Sequence, residues 1–258
     1  MLIFSYLVIF IFGLIIGSFL NSIIYRLRTG ESFLSERSYC PYCKHQLSWQ
    51  DLIPIFSFLI LRGKCRYCQK PISWQYPLVE LITGIISLFI FIEDGPLSGS
   101  LYYLIISCFL IIIFVYDLRH YIIPDRVIYP AIFVVIIWYL LFGIIFKQFS
   151  NYYILTTIYS ATGAAAFFLA IVLVSHGKWM GVGDIKLAFF MGLFLGFPNI
   201  LVALFLAFFI GAIIGVGLIA TGKKTLKSEV PFGPFLVTGT FAAMFWSQSI
   251  INWYLHLF

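Results

Sequence analysis

Three of the five aspartates in this 258-residue chain stand in two short polar islands of an otherwise apolar sequence. YDLRHYIIPD (116–125) holds Asp117 and Asp125, and MGVGDIK (180–186) holds Asp184. Each island abuts a long apolar run, which places these carboxylates at the edge of a bilayer, where a charge is costly and asks for a chemical role. Two carboxylates that converge share one proton: the ionised one serves as base and the protonated one as acid, the chemistry of aspartic proteolysis. Four cysteines form a second constellation. Cys40-Pro-Tyr-Cys43 and Cys65-Arg-Tyr-Cys68, separated by 21 residues, supply four soft thiolates suited to tetrahedral zinc. A closed site of this kind is structural, and it staples a segment too short to bury much core. His45 lies between the pairs, but four cysteines already fill such a site.

Each aspartate also has a simpler reading. Asp125 follows Pro124 and suits a helix N-terminus, and Asp117 can pair with Arg119 at the interface. Asp184 suits a cap after Gly181-Val182-Gly183, with Lys186 snorkelling to the headgroups. Taken together, the three favour catalysis. Gly181 and Gly183 permit positive φ and close backbone approach, which would aim a carboxylate into a cleft. Pro124 breaks the helix between the upstream acids, so spacing leaves open whether Asp117 or Asp125 partners Asp184. His120 and His176 are further acid–base candidates at the same border. The chain holds neither HExxH nor a serine in a nucleophile elbow, which removes zincin and serine-protease readings. Asn21, Arg26 and Glu80 add polarity near the same face, and PFGPF (231–235) suggests a loop or groove but carries little weight alone.

The elements that must position these groups are membrane helices. Hydrophobic residues make up 62% of the chain and charged residues 10%, which excludes a soluble globular protein. Apolar runs predict eight spans: 2–25, 77–92, 101–116, 127–146, 153–175, 185–197, 199–220 and 232–255. The second, third and sixth are short enough to be tilted, capped or partly re-entrant, so the range is seven or eight spans. The fold class is thus an all-α polytopic membrane protein. Its expected parts are a first helix (1–25), a cytoplasmic cysteine segment (26–76) and a helical remainder (77–258). Fifteen of the sixteen Lys and Arg fall on one side of this arrangement, all but Lys147, so that side is cytoplasmic and both termini lie outside. The net charge of +6 therefore reports topology rather than nucleic-acid binding. The first run lacks a basic stretch before it and reads as a retained anchor, not a cleaved signal. Cys108 and His256 read as packing residues.

Many of these motifs, in this order, resemble one family. GSFLNSIIYR (17–26), CPYCKHQLSWQDLIPIFSFLILRGKCRYC (40–68), ISWQYPLVE (72–80), YDLRHYIIPD, GVGDIK (181–186) and PFGPF are similar to bacterial type IV prepilin peptidases, bifunctional leader peptidases and N-methyltransferases. The resemblance implies a GxGD-type aspartic protease of the bacterial plasma membrane, with Asp117 and Asp184 as the catalytic pair. Asp125, Gly181, Gly183 and Lys186 would be supporting. It implies prepilins or pseudopilins as substrates, cut at the cytoplasmic border of the lipid bilayer. It also implies methylation of the new N-terminus with S-adenosylmethionine in the cysteine segment. Gly63 matches a glycine linked to that activity, and Glu80 is a candidate to assist it. Gln75 departs from the basic residue the family often has there.

Three rivals make different demands. A transporter would place polar residues at mid-membrane in inverted halves. A peptidase with purely structural knuckles would leave its product unmethylated. A thiol oxidoreductase would exchange its thiols with dithiothreitol and hold no zinc.

Overall fold

The computed structural model describes residues 2–31, 37–95, 98–145, 150–222 and 230–256. Lys147 and the basic cluster Lys223, Lys224 and Lys227 lie outside the described residues. The described residues are almost entirely helical, with only two isolated β-bridges. The chain forms two compact units, residues 1–112 and 113–258, divided within one helix.

The first unit is built on α1 (Leu2–Thr29) and α3 (Gln75–Asp94). Gly17 lies against Glu80, while Asn21 donates to the Tyr76 carbonyl at 3.0 Å, so the helices run antiparallel. Between them the two cysteine knuckles repeat one pattern. Cys40 N–H donates to His45 O and Lys44 N–H returns to Cys40 O; Cys65 N–H donates to Lys70 O and Gln69 N–H returns to Cys65 O. Lys44 and Gln69 hold the same positive φ, 58°. A 3₁₀ turn (Trp49–Leu52) and the short α2 (Phe56–Ile60) connect the knuckles.

The second unit contains the end of α4 (Ser98–His120), then α5 (Asp125–Trp138), which continues as a π-helical stretch (Tyr139–Ile145). It closes with α6 (Asn151–Ser175), α7 (Val182–Leu195), α8 (Asn199–Ala220) and α9 (Gly233–Leu255). Helix α7 is its centre, packed by α5, α6, α8 and α9. Leu187, Ala188, Phe190 and Met191 are fully covered, which explains why α7 is apolar on every side. At Gly192 an added Cβ would fall 2.5 Å from the Ala161 Cα, so α6 and α7 meet backbone to backbone.

Six described helical stretches, on α1, α3, α4, α5, α6 and α8, are long and apolar enough to cross a membrane. The protein is thus a multi-pass membrane protein. Two of the eight expected spans, on α7 and α9, fall outside these six. Helix α7 has 14 residues, about 21 Å of rise against a core of about 30 Å, because it is enclosed by protein rather than sized to lipid. Helix α9 has 23 residues but carries Thr238, Thr240, Ser247, Gln248 and Asn252, which dilute its hydropathy.

Candidate active site

The last turn of α4 carries Asp117 and the first turn of α7 carries Asp184, both in the second unit. The apolar run that ends at Tyr116 does not end the helix, which continues to His120. There Tyr121, in the left-handed region (φ 58°), donates its N–H to the Asp117 carbonyl. Asp117 and Asp184 are 4% and 8% exposed, so neither behaves as a solvated surface acid. Their carboxyls lie close enough to act on one another electrostatically. Each also has a main-chain donor: Gly233 N–H for Asp117, and Gly181 N–H for Asp184 Oδ2 at 3.2 Å.

Of the two expectations for the glycines, close approach holds at Gly183 and positive φ holds at neither. Gly181 is extended (φ −83°) and Gly183 lies inside α7, so positive φ is not what either supplies. Gly181 is the N-cap, and Asp184, three residues on, bonds back to its N–H; the acid is therefore inside the first turn rather than the cap itself. Gly183 is needed for space, since a Cβ there would approach the Ile123 Cβ to 3.1 Å.

PFGPF lies against Asp117. An added Cβ at Gly233 would sit 2.5 Å from Asp117 Oδ2, so only glycine brings that N–H onto the carboxylate. Beside Asp117, a groove of about 420 Å³ is lined by Phe114, Leu118, Ile210, Ile214, Pro234 and Phe235. A glycine beside proline at a helix start is visible in the sequence, but the acid it meets is not.

Asp125 stands apart from the buried pair. It begins α5, its side chain is 59% exposed, and its Oδ1 accepts from Lys186 Nζ at 2.6 Å. Lys186 also lies over the Tyr129 ring, 5.1 Å from its centroid. It therefore ties α7 to α5 instead of snorkelling free. His120 packs on Tyr116, and His176 ends α6 in the left-handed region.

In the first unit, the four sulfurs of Cys40, Cys43, Cys65 and Cys68 lie within 4.8 Å of one another. Tetrahedral thiolate coordination at about 2.3 Å from zinc implies sulfurs about 3.8 Å apart. The Cys40–Cys68 separation is 3.9 Å, so the donor set fits a metal ion. Burial pushes the Cys40 thiol up, but N–H groups of Cys43 and Tyr42 and the neighbouring thiols outweigh it and bring it to about 7. His45, between the pairs in sequence, packs its ring against Tyr67, 3.7 Å between centroids.

The two methylation candidates both lie in the first unit. Glu80 is buried, accepts the Ile55 N–H at 2.8 Å and is bonded by the Ser18 hydroxyl. Gly63 has φ +70° and places Phe58 beneath it, where an added Cβ would come within 3.1 Å of the ring.

Residues 104–216 match the type IV leader peptidase family, and residues 11–93 match the bacterial peptidase A24 N-terminal domain. The prepilin leader peptidase/N-methyltransferase of Aeromonas hydrophila is 31% identical over 277 residues, covering 96% of this chain and 92% of that protein. Bacillus subtilis (strain 168) has a relative of the same name at 32% over 253 residues, 97% and 98% covered. That of Legionella pneumophila is 34% identical over 281 residues, 98% and 95% covered. This chain belongs to the type IV leader peptidase family. It is an enzyme, and the family's chemistry is proteolysis. Its cysteine knuckles fall inside the matched N-terminal domain, and Asp117 and Asp184 fall inside the matched peptidase region. No solved structure matches the chain.

Proposed function

We propose that this enzyme removes the leader of type IV prepilins or pseudopilins at the cytoplasmic border of the bacterial plasma membrane, with Asp117 and Asp184 as its catalytic pair. The observation that carries this reading is the convergence of two buried carboxyls, each with a main-chain donor, beside an apolar groove. Two carboxyls so close hold one proton between them more easily than two negative charges. The ionised partner takes a proton from a water molecule as the water oxygen bonds to the scissile carbonyl carbon. Its protonated partner gives its proton to the carbonyl oxygen. Collapse of the resulting diol breaks the C–N bond, and a carboxyl returns a proton to the departing amine. The Gly233 and Gly181 N–H groups hold the carboxyls in place through these transfers.

The apolar helix of the substrate seats in the groove lined by Phe114, Leu118 and Phe235, and its basic leader stays on the cytoplasmic side. The positive-inside distribution of Lys and Arg supports that orientation. Lys186 and Asp125 are supporting residues that hold the starts of α7 and α5 together. Zinc would be held by Cys40, Cys43, Cys65 and Cys68, where it supplies folding energy to the knuckles and no step of the reaction. N-methylation of the new N-terminus with S-adenosylmethionine is the second activity we propose. It rests on the names of the relatives and the N-terminal domain match, and no step is assigned to Gly63 or Glu80.

Intact-mass analysis of a prepilin incubated with the purified enzyme tests both parts. Leader loss without S-adenosylmethionine, and one added methyl group with it, is the expected result. An uncut prepilin would overturn the proposal, and a cut but unmethylated product would leave a peptidase alone.

A further inference from the structure

The segment joining the two knuckles presents bare hydrocarbon. In α2, Phe58 turns inward onto Trp74, while Phe56, Leu59 and Ile60 are 61%, 60% and 75% exposed. Its depth is set by α3. Twenty residues at about 1.5 Å each reach about 30 Å, the thickness of the hydrocarbon core, and tilt only shortens that reach. Helix α3 therefore has no length to spare, Gln75 lies at one boundary, and Glu80 lies about 7 Å further along the axis. Glu80 Oε2 takes the Ile55 N–H, which pins the segment beside the buried first turns of that span.

The backbone at the pin is unusual. Phe56 N–H donates to Pro54 O across Ile55, whose φ of 60° and ψ of −50° make a γ-turn of the rare, strained form. A β-branched residue adopts that geometry only where its surroundings impose it, and the Glu80 bond does so. Beyond the turn, the N–H groups of Ser57, Leu59, Leu61 and Gly63 all donate to carbonyls within residues 53–63. Internal satisfaction of the backbone is what lipid demands and water does not. Exposed Arg62 and Lys64 follow the apolar stretch directly.

We infer that residues 53–61 form an interfacial membrane anchor inside the cysteine segment. Phe56, Leu59 and Ile60 enter the acyl boundary of an anionic bilayer, and Arg62 and Lys64 meet its phosphate headgroups. The anchor holds the metal knuckles against the membrane surface, and it stands whether or not the peptidase assignment does.

The test uses the full chain in nanodiscs of phosphatidylethanolamine and phosphatidylglycerol. Phe56→p-benzoylphenylalanine and Ile60→p-benzoylphenylalanine are irradiated and read by intact mass. Phe12→p-benzoylphenylalanine on α1 reports a lipid-facing site, and Tyr42→p-benzoylphenylalanine an exposed knuckle site. Phospholipid adducts at 56 and 60 should match those at 12 and exceed those at 42 by at least about tenfold. Hydroxyl-radical footprinting of the unsubstituted chain, free of any folding defect, should find Phe56 and Ile60 protected relative to Tyr42. Adducts only to a second copy or to none, or oxidation of Phe56 as fast as Tyr42, would overturn the anchor.

Discussion

At the residue scale, Gly233 separates the two kinds of acid in this chain. Asp117 meets a main-chain N–H that only glycine can deliver, whereas Asp125 meets a lysine in partial solvent. Gly233→Ala should push the Asp117 carboxyl aside and slow leader cleavage by about 10²-fold, the cost expected of a misplacement near 1 Å. Prepilin cleavage kinetics would check it, with retained melting temperature as the folding control. Asp125→Asn should cost less than about tenfold and, as an exposed pair, at most about 1 kcal/mol in stability. Asp51 offers a pH prediction in the knuckle segment. Burial pushes its carboxyl up, but the Ser48 hydroxyl, the Arg66 guanidinium, the Ser48 N–H and the Tyr67 hydroxyl together hold it below the usual carboxylate range. Because the folded value is the lower one, its contribution is present above the ordinary carboxylate range and is lost as pH falls through the folded value. The protection of Ser48 to Leu52 against hydrogen exchange, relative to the unstructured rate at each pH, should therefore fall on acidification, and Asp51→Asn should remove that dependence. The chemistry-bearing types were readable from sequence at this scale. Gly233 was not, because a donor 116 positions from its acceptor leaves no local periodicity.

At the element scale, the position of Asp184 depends on how closely α7 can approach its neighbours. Gly192 lies against the α6 backbone, so Gly192→Val should cost roughly 1–3 kcal/mol and impair cleavage by shifting α7. Thermal unfolding in detergent, read beside cleavage rate, would check both effects. The knuckles make the other element-scale case. Their spacing predicted one four-cysteine site, and the structure gathers those sulfurs. The purified chain should carry one zinc, and Cys40→Ser with Cys65→Ser should abolish it by elemental analysis. The long helices were legible from their apolar runs, whereas α2 and the 3₁₀ turn of the knuckle segment were not. Helix ends were not: hydropathy stops at Tyr116, while backbone hydrogen bonding carries α4 past Asp117 to His120. For the glycines before Asp184 the sequence shows permitted φ and room for close approach, but not the neighbour, Ile123, that crowds Gly183.

At the scale of the whole molecule, hydropathy alone counts spans by composition and cannot tell lipid from protein as the apolar surrounding. Helix α7, wrapped by other helices, is apolar on every side for the second reason, and its 14 residues are fewer than a lipid-sized span needs. Charge asymmetry goes further, since it predicts a side. A protease added to inside-out vesicles should cut at Arg37 or Lys44, and one added outside intact spheroplasts should not. The account as a whole requires Asp117 and Asp184 to work as a single unit. Prepilin cleavage by Asp117→Asn, Asp184→Asn and the double variant tests that requirement most directly. Each single change should lower the rate by at least about 10³-fold, with the double variant no worse than either, as for groups that act together. Normal cleavage by either single variant, or losses that multiply in the double, would contradict it.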